Sequence, residues 1–272
     1  MANKIGKLLV LLAAGVMATA IRLYPLPAEA QSRPKLDCQN MALEYAKAFE
    51  SFNYRAIIRL TGQPYSKEEE TKYLELQKSP ETKEIFATII EMIRLFPKIG
   101  EIPDWVTEVK AEYEYIRGND LIEMHGEYVF KEGNWIIQDL EPRGGENLDE
   151  ERKAQLAGEL SPAPPEGQKA IDAAFSEPLA KLISAVEQKS WDGVMETGVH
   201  PGDCGLHPED PPQEREKALK LLAQFPSIGP IPAPAKSFRL GLKGTLDGEE
   251  TEADIGFNWP GNKLKLSFVS FK

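Results

Sequence analysis

One short segment of the chain occurs twice. Residues 96–103 read Phe-Pro-Lys-Ile-Gly-Glu-Ile-Pro and residues 225–232 read Phe-Pro-Ser-Ile-Gly-Pro-Ile-Pro, so the segment returns 129 positions later. Proline ends a helix and glycine turns the chain, which predicts a hinge between a helix and a strand at both places. A hinge repeated with matching flanks indicates an internal duplication. We therefore expect two copies of one small unit.

The two copies predict the same buried faces. In the first helix of each copy, apolar residues recur at three- and four-residue steps, as on one buried helical face. In the strands, apolar and charged residues alternate with a period of two, which is typical of a half-buried antiparallel sheet. The equivalent strand positions are Val109, Ala111, Tyr113 and Tyr115 in the first copy and Phe238, Leu240, Leu242 and Gly244 in the second. The predicted fold class is α+β, with two tandem copies of a unit in which three helices precede the three strands of its own antiparallel sheet.

Composition sets the boundaries between the copies. We place the first α+β unit at residues 38–141 and the second at residues 168–272. Residues 142–167 between them are rich in glycine and proline, which is typical of a linker. Residues 63–78 are rich in Glu and Lys and have no similar counterpart in the second copy. Because insertions of this kind usually lie on the surface, we expect a surface loop there.

Residues 1–30 have the pattern of a secretory signal peptide. Lys4 and Lys7 precede an apolar run over residues 8–21, and Ala28-Glu29-Ala30 forms a small-residue cleavage site. The apolar run is shorter than the ~20 residues that span a bilayer, so we expect cleavage before Gln31 rather than a retained anchor. The expected product is a periplasmic or secreted protein with no stable membrane anchor after signal cleavage.

Two cysteines, Cys38 and Cys204, remain after that cleavage. Oxidising compartments favour pairing of thiols, which predicts a disulfide that ties the two copies together. The alternative is a metal site at His200, Cys204 and His207, whose ligand types and spacing suit one zinc or copper ion. We favour the disulfide, because an exported cysteine pair is more often oxidised than metal-bound. No cofactor is expected.

Parts of each copy resemble a known fold. The run over residues 49–58 is similar to the start of cystatin-like and nuclear-transport-factor-like cone domains, and residues 100–102 and 133–136 resemble the end of their secreted relatives of unknown function. The resemblance covers about 100 residues of each copy, and the second copy departs from it, with Lys263 in place of Trp135. It implies helices packed on one side of a curved sheet. Because that fold hosts isomerases, dehydratases and binding modules, the resemblance implies no single function.

The interior of the first unit is the candidate ligand pocket. Tyr113, Tyr115 and Tyr128 share one strand face with Met124, whereas the second copy has Leu and Phe in place of Tyr113 and Tyr128. Three tyrosine hydroxyls on an apolar face suit recognition of a small molecule. The alternative is an ordinary core in which the hydroxyls reach the rim. We favour the ordinary core.

A catalytic version of this pocket needs an ionisable group, and Asp139 is the one candidate in the sequence of the strands. If Trp135 and Ile137 face inward, Asp139 joins them and could act as a general base, with the tyrosines as donors to an oxyanion, as in ketosteroid-isomerase-like cones. If Ile136 and Leu140 face inward instead, Asp139 lies outside. The alternation of this strand is ambiguous, so both alternatives stay open.

The charged strand faces suggest interaction rather than catalysis. The face of the first copy is mostly acidic, and that of the second carries Arg239, Lys243, Lys263 and Lys265 among Glu252 and Asp254. We hypothesise that the two faces meet, within the chain or between chains, because opposite patches orient association. A net charge of −11 argues against nucleic acid as a partner.

These observations favour an exported two-domain binding or interaction protein without an evident catalytic motif. Its partner is an unknown small molecule or an extracytoplasmic protein. The alternative is a small-molecule enzyme of isomerase or lyase type that uses the cone of the first unit.

Overall fold

A computed structural model describes residues 33–199, 206–207 and 209–272 and has an α+β fold with one large antiparallel sheet. Eight α-helices lie within these residues. They are α1 Cys38–Glu50, α2 Tyr54–Thr61, α3 Lys67–Leu76, α4 Pro80–Arg94, α5 Glu150–Leu156, α6 Ser176–Glu187, α7 Trp191–Glu196 and α8 Pro212–Ala223. The strands are β1 Val106–Arg117, β2 Asp120–Lys131, β3 Asn134–Asn147, β4 Ala170–Ile171, β5 Ile231–Pro232, β6 Ala235–Leu246, β7 Glu249–Asn258 and β8 Lys265–Phe271.

The six long strands form one sheet in the order β3-β2-β1-β6-β7-β8, and every pair in it is antiparallel. The prediction of a separate sheet in each copy is therefore wrong. Strands β1 and β6, the first strand of each half, pair with each other from Val106 to Tyr115, and we call this pairing the β1–β6 seam. The alternation of apolar residues predicted both strands but carried no information about which edges would meet.

The seam pairs equivalent residues of the two halves. Ala111 lies opposite Leu240, which stands 129 positions later and is its own counterpart. On either side of this pair, Val109 lies opposite Leu242, and Tyr113 lies opposite Phe238. A local pseudo-two-fold axis therefore passes between Ala111 and Leu240.

The repeated hinge segments also pair with each other. Ile99 forms an isolated antiparallel bridge with Ile228, again its counterpart 129 positions later. Two backbone hydrogen bonds of 2.7 Å flank the bridge, from Gly100 N to Ser227 O and from Gly229 N to Lys98 O. The sequence feature that indicated a duplication thus forms a second symmetric contact between the halves.

The first half has four helices, not the three expected. α1, α2 and α4 agree with the prediction, and α2 ends at Gly62, whose φ of 65° suits glycine at a helix C-cap. The additional helix, α3, lies in the segment that we expected to be a surface loop. Ser66 caps it by accepting a hydrogen bond from Glu69 N, and its one buried residue is Tyr73. The second half has the expected three helices, α6 to α8.

The segment predicted as a linker is ordered against the sheet. Strand β3 continues to Asn147, and α5 packs Leu156 against Leu121 and Leu148 in a small separate cluster. Ser161 then binds the start of β6, because Ala235 N donates to its Oγ at 2.8 Å. The apolar residues within the charged 148–156 stretch explain why it folds back.

One hydrophobic core runs through both halves. Tyr128 and Phe257, which stand at equivalent positions, are both at most 1% exposed and both face this core. The predicted register of the equivalent strands is therefore confirmed for these two residues. The opposite face of the sheet carries charged side chains.

Candidate functional site

The four predicted pocket residues come together, but as packed core. Tyr113, Tyr115, Tyr128 and Met124 are each at most 3% exposed. The ring of Phe96 packs edge-on against Tyr113 at 6.0 Å and Tyr128 at 5.7 Å. The rings therefore fill the space that a ligand would need.

The hydroxyls of these tyrosines differ in their partners. Tyr128 Oη donates to the backbone oxygen of Cys38 at 3.1 Å. Tyr113 Oη and Tyr115 Oη are buried and have no hydrogen-bond partner. Burial raises the pKa of Tyr113 well above its ordinary value and that of Tyr115 to about 12, so both hydroxyls are neutral at physiological pH. Two unpaired neutral hydroxyls beside each other are an unfavourable feature of this core.

Asp139 lies on the other face of the sheet from these tyrosines. A bulge leaves Gln138 unpaired, because Tyr128 lies opposite Ile137 whereas Glu127 lies opposite Asp139. Both Ile137 and Leu140 are buried as a result, an outcome that neither alternation pattern had predicted. Asp139 forms an ion pair with Arg143 instead. The proposed pairing of a general base with the tyrosines is therefore wrong.

No disulfide is seen among the residues that the structure describes, and Cys204, the predicted partner of Cys38, is not one of them. Cys38 is a free thiol, 1% exposed, and its burial raises its pKa. Cys204 and His200 lie outside the described residues. His207 is described: its ring packs on Trp191 with centroids 4.5 Å apart, and its Nδ1 lies 3.2 Å from Glu209 N. Among the described residues, no group of three or more His, Cys, Asp or Glu side chains could hold a metal ion.

The outer surface of β1, β2 and β3 is strongly acidic. We call it the acidic face, and it carries eight carboxylates against three basic side chains. The carboxylates are Glu108, Glu112, Glu114, Glu123, Glu127, Asp139, Glu141 and Glu146, and the basic side chains are Lys110, Lys131 and Arg143. Burial and the neighbouring Asp139 raise the pKa of Glu141. The face thus concentrates negative charge that its own basic residues do not neutralise.

His125 lies at the centre of this face and is only 2% exposed. Its Nδ1 is 3.1 Å from Glu112 Oε1, which makes a hydrogen bond. Its Nε2 has no hydrogen-bond partner, and the nearest carboxylate oxygens are those of Glu127 at 3.6 Å and Asp139 at 3.8 Å. Its alternation with Glu123 and Glu127 is typical of the charged face, but nothing in the sequence indicates that the neighbouring side chains bury it.

The charged faces of the two halves meet side by side across the seam. Arg239 on β6 reaches Glu112 at 3.8 Å and Asp254 at 3.2 Å, and Lys236 reaches Glu114 at 3.1 Å. The outer surface of β6, β7 and β8 is nearly balanced in charge, in contrast to the acidic face. The two charged faces thus meet side by side within one sheet. The acidic face stays open except at the end where α5 packs on Leu121.

A second cluster, of aromatic rings, lies beneath α3 and was not singled out from the sequence. Tyr73 projects from α3 into the rings of Phe49, Phe52, Tyr54 and Phe86, which we call the aromatic cage. The helical spacing of Phe49 and Phe86 was visible in the sequence. The contribution of Tyr73 was missed because its segment was expected to be a loop.

The chain matches no protein-family model, and no curated protein shows significant sequence similarity to it. Among the described residues, none of the helices combines the length and the apolar character needed to cross a bilayer. Sequence similarity therefore assigns no function to the chain.

Proposed function

We propose that the chain is an exported, non-catalytic binding protein whose acidic face binds a basic extracytoplasmic protein. The observation that carries the proposal is the excess of eight carboxylates over three basic side chains on one sheet surface. Complementary charge of this kind accelerates and orients encounter with a basic partner.

The architecture supports a binding surface at this place. The β1–β6 seam extends the acidic face into the outer surface of the second half, so a partner meets one six-stranded platform. Two of the carboxylates are held by neighbouring side chains: Glu127 is 13% exposed, and Asp139, which is 24% exposed, pairs with Arg143. Charged groups that are already ordered lose less conformational entropy on binding.

We also infer that the platform arose from two tandem copies of one helix-and-sheet unit. The pairing of Ala111 with Leu240 and of Ile99 with Ile228 supports this inference, because each residue lies opposite its own counterpart. A dimer of identical units about a two-fold axis makes this kind of self-complementary contact, and joining the units in one chain would preserve it.

The isomerase or lyase alternative is the weaker proposal. It needs an ionisable group beside Tyr113 and Tyr128, and Asp139 lies on the acidic face instead. Turnover of a small molecule that the Asp139→Asn variant abolishes would favour the enzyme over the binding protein.

The test uses an oligolysine peptide as the probe and isothermal titration calorimetry as the measurement. A face variant combines Glu108→Gln, Glu112→Gln and Glu123→Gln. A matched control removes the same charge from exposed helix positions by Glu75→Gln, Glu84→Gln and Glu187→Gln. With roughly 0.5–1 kcal/mol for each lost ion pair, the face variant is expected to bind about 10- to 100-fold more weakly.

The control variant is expected to bind within about threefold of the wild type, because its carboxylates lie away from the acidic face. Equal weakening in both variants would contradict the proposal, because the peptide would then respond only to the net charge of −11. The intact mass of the exported protein tests the proposal that the chain is exported. A mass that corresponds to a chain beginning at Gln31 supports export by signal cleavage, and retention of residues 1–30 contradicts it.

A further inference from the structure

The aromatic cage encloses one ring on several sides. The ring of Tyr73 has its centroid 5.7 Å from Tyr54, 5.9 Å from Phe52, 6.1 Å from Phe49 and 6.2 Å from Phe86. The Phe86 ring is stacked on it and the Phe49 ring meets it edge-on, which are the two favourable geometries for aromatic pairs. A cage of this shape accepts any flat aromatic ring, and here Tyr73 supplies it.

The fold itself does not require the cage. At the equivalent positions of the second half, Val186 stands for Phe49, Lys189 for Phe52 and Arg215 for Phe86. The second half nevertheless forms helices α6, α7 and α8. Tyr54 has an aromatic counterpart, Trp191, so three of the four cage walls are a property of the first half alone.

Few contacts attach helix α3 to the rest of the protein. Tyr73 is its only buried residue. Leu76, the last residue of α3, is partly buried against the core. The polar contacts face α2: Tyr54 Oη donates to Glu69 Oε2 at 2.9 Å, and Arg55 lies 3.6 Å from Glu70. Segments with little buried apolar surface open at low free-energy cost, so α3 is suited to move as a lid.

The ring of Tyr73 fits the cage, but its hydroxyl group is unfavourably placed there. It is 3% exposed, and its hydroxyl is buried without a hydrogen-bond partner. An unpaired buried hydroxyl is unfavourable, whereas a ring without it would lose nothing in the cage. A ligand ring can therefore compete with Tyr73.

A cationic surface adjoins the cage. Arg55 and Arg59 line a depression with Ile58 and Tyr65, and their side chains are 76% and 74% exposed. The Tyr65 ring lies 6.3 Å from Tyr54, a wall of the cage, so the depression and the cage are neighbours. In the closed state Glu70 approaches Arg55 while Tyr73, one turn further along α3, fills the cage.

We propose that the aromatic cage and Arg55 form a binding site for a flat aromatic anion, and that α3 covers the site with its own ring and carboxylate. Tyr73 stands in for the aromatic ring of the ligand, and Glu70 stands in for its anionic group. Opening of α3 exposes both subsites together, so ligand binding and lid opening are coupled. This site is distinct from the acidic face and does not depend on the function proposed for that face.

The test uses anilinonaphthalenesulfonate, an aromatic anion whose fluorescence rises on binding, with the mature full-length protein. Tyr73→Ala empties the cage and is expected to bind the probe at one saturable site about tenfold or more tighter than the wild type, because the occluded state is lost. Tyr73→Phe keeps the ring and is expected to bind no tighter than the wild type. Leu74→Ala changes the exposed neighbour on the same helix and is expected to have no effect.

Two further measurements separate this site from non-specific binding. In the Tyr73→Ala background, Arg55→Ala is expected to weaken binding of the sulfonate probe several-fold and to leave binding of neutral N-phenylnaphthylamine unchanged. In the wild type, excess probe is expected to accelerate amide hydrogen exchange across residues 67–76, a readout that does not require any variant to fold. The proposal is overturned if Tyr73→Ala and Tyr73→Phe bind the probe equally, if Arg55→Ala affects both probes alike, or if exchange in α3 is unchanged by the probe.

Discussion

The two buried tyrosines with different hydrogen bonding, Tyr113 and Tyr128, allow a sharp test of the core. Tyr113→Phe removes a hydroxyl that has no partner, and Tyr128→Phe removes one that donates to Cys38 O at 3.1 Å. Both substitutions keep the ring, so neither leaves a large cavity. The two variants should therefore change stability in opposite directions.

The structure gives the size of each effect. A buried hydroxyl without a partner costs about 1–3 kcal/mol, so Tyr113→Phe is expected to stabilise the protein by up to that amount. A buried neutral hydrogen bond contributes about 1 kcal/mol net, so Tyr128→Phe is expected to destabilise it by about 1 kcal/mol. For a protein of this size, 1 kcal/mol corresponds to roughly 2–4 °C in Tm, and the two variants should melt at least about 4 °C apart.

The assay is urea-induced unfolding of the mature protein, followed by tryptophan fluorescence and by far-UV circular dichroism. Agreement of the two probes checks that unfolding is two-state, which the comparison of free energies requires. The midpoints should rank Tyr113→Phe above the wild type and the wild type above Tyr128→Phe, with unchanged slopes.

One result would refute the reasoning. If Tyr113→Phe destabilises the protein as much as Tyr128→Phe does, the Tyr113 hydroxyl has a partner in solution. The interior of the first half would then hold a water or another bound molecule at Tyr113, and the small-molecule pocket would return as a candidate site.

Three further predictions concern the seam, a strained helix end and the acidic face. A Cβ at Gly244 would lie 1.9 Å from the backbone oxygen of Trp105 across the seam, so Gly244→Ala is expected to destabilise the protein by about 1–3 kcal/mol in urea unfolding. The control is Gly158→Ala, because a Cβ there meets nothing within 4 Å. Equal urea midpoints for the two variants would contradict the seam. Lys189 has a φ of 53°, so Lys189→Gly is expected to raise the free energy of unfolding by about 0.5–1 kcal/mol, whereas an equal gain from Lys189→Ala would show that the backbone angle is not the cause. Burial raises the pKa of Glu141, so the folded state binds the carboxyl proton of Glu141 more tightly than the unfolded chain does. The resulting contribution to stability is present below the ordinary carboxyl pKa of about 4.3 and is lost as the pH rises through the raised pKa. Glu141→Gln is therefore expected to raise the urea midpoint at neutral pH and to leave it unchanged in acid, and a gain of equal size at both pH values would contradict this explanation.

Local patterns in the sequence predicted most of the individual elements. Ser79 followed by Pro80 is a helix-start pattern, and α4 begins there. Period-two alternation predicted that Tyr113 and Phe238 lie on the core side of their strands. These features depend on residues close together in the chain, so the sequence contains them directly.

The features that the sequence left open depend on contacts between distant residues. Nothing within β1 or β6 indicates that the two edges join, because a strand edge exposes the same backbone groups whatever its partner. The Gln138 bulge moved Asp139 to the acidic face, and no alternation pattern predicts a bulge. The burial of His125 likewise results from neighbouring side chains on three strands. Those next to its ring, Glu112, Glu127 and Asp139, are all charged, so no apolar pattern indicates the burial.

Helix α3 was missed for a different reason. A single buried residue, Tyr73, does not produce a hydrophobic stripe that the sequence pattern could reveal. Ser66, three residues before Glu69, is nevertheless a helix-start signal. The same sparse burial is the reason for proposing that α3 opens.

Amide hydrogen exchange by mass spectrometry tests the central claim, that the two halves share one sheet, most directly. The account predicts that peptides from β1 and β6 exchange among the slowest in the protein, and much more slowly than those from the edge strands β3 and β8. Exchange of β1 and β6 as fast as that of β3 and β8 would contradict it, because all four would then be edges of two separate sheets.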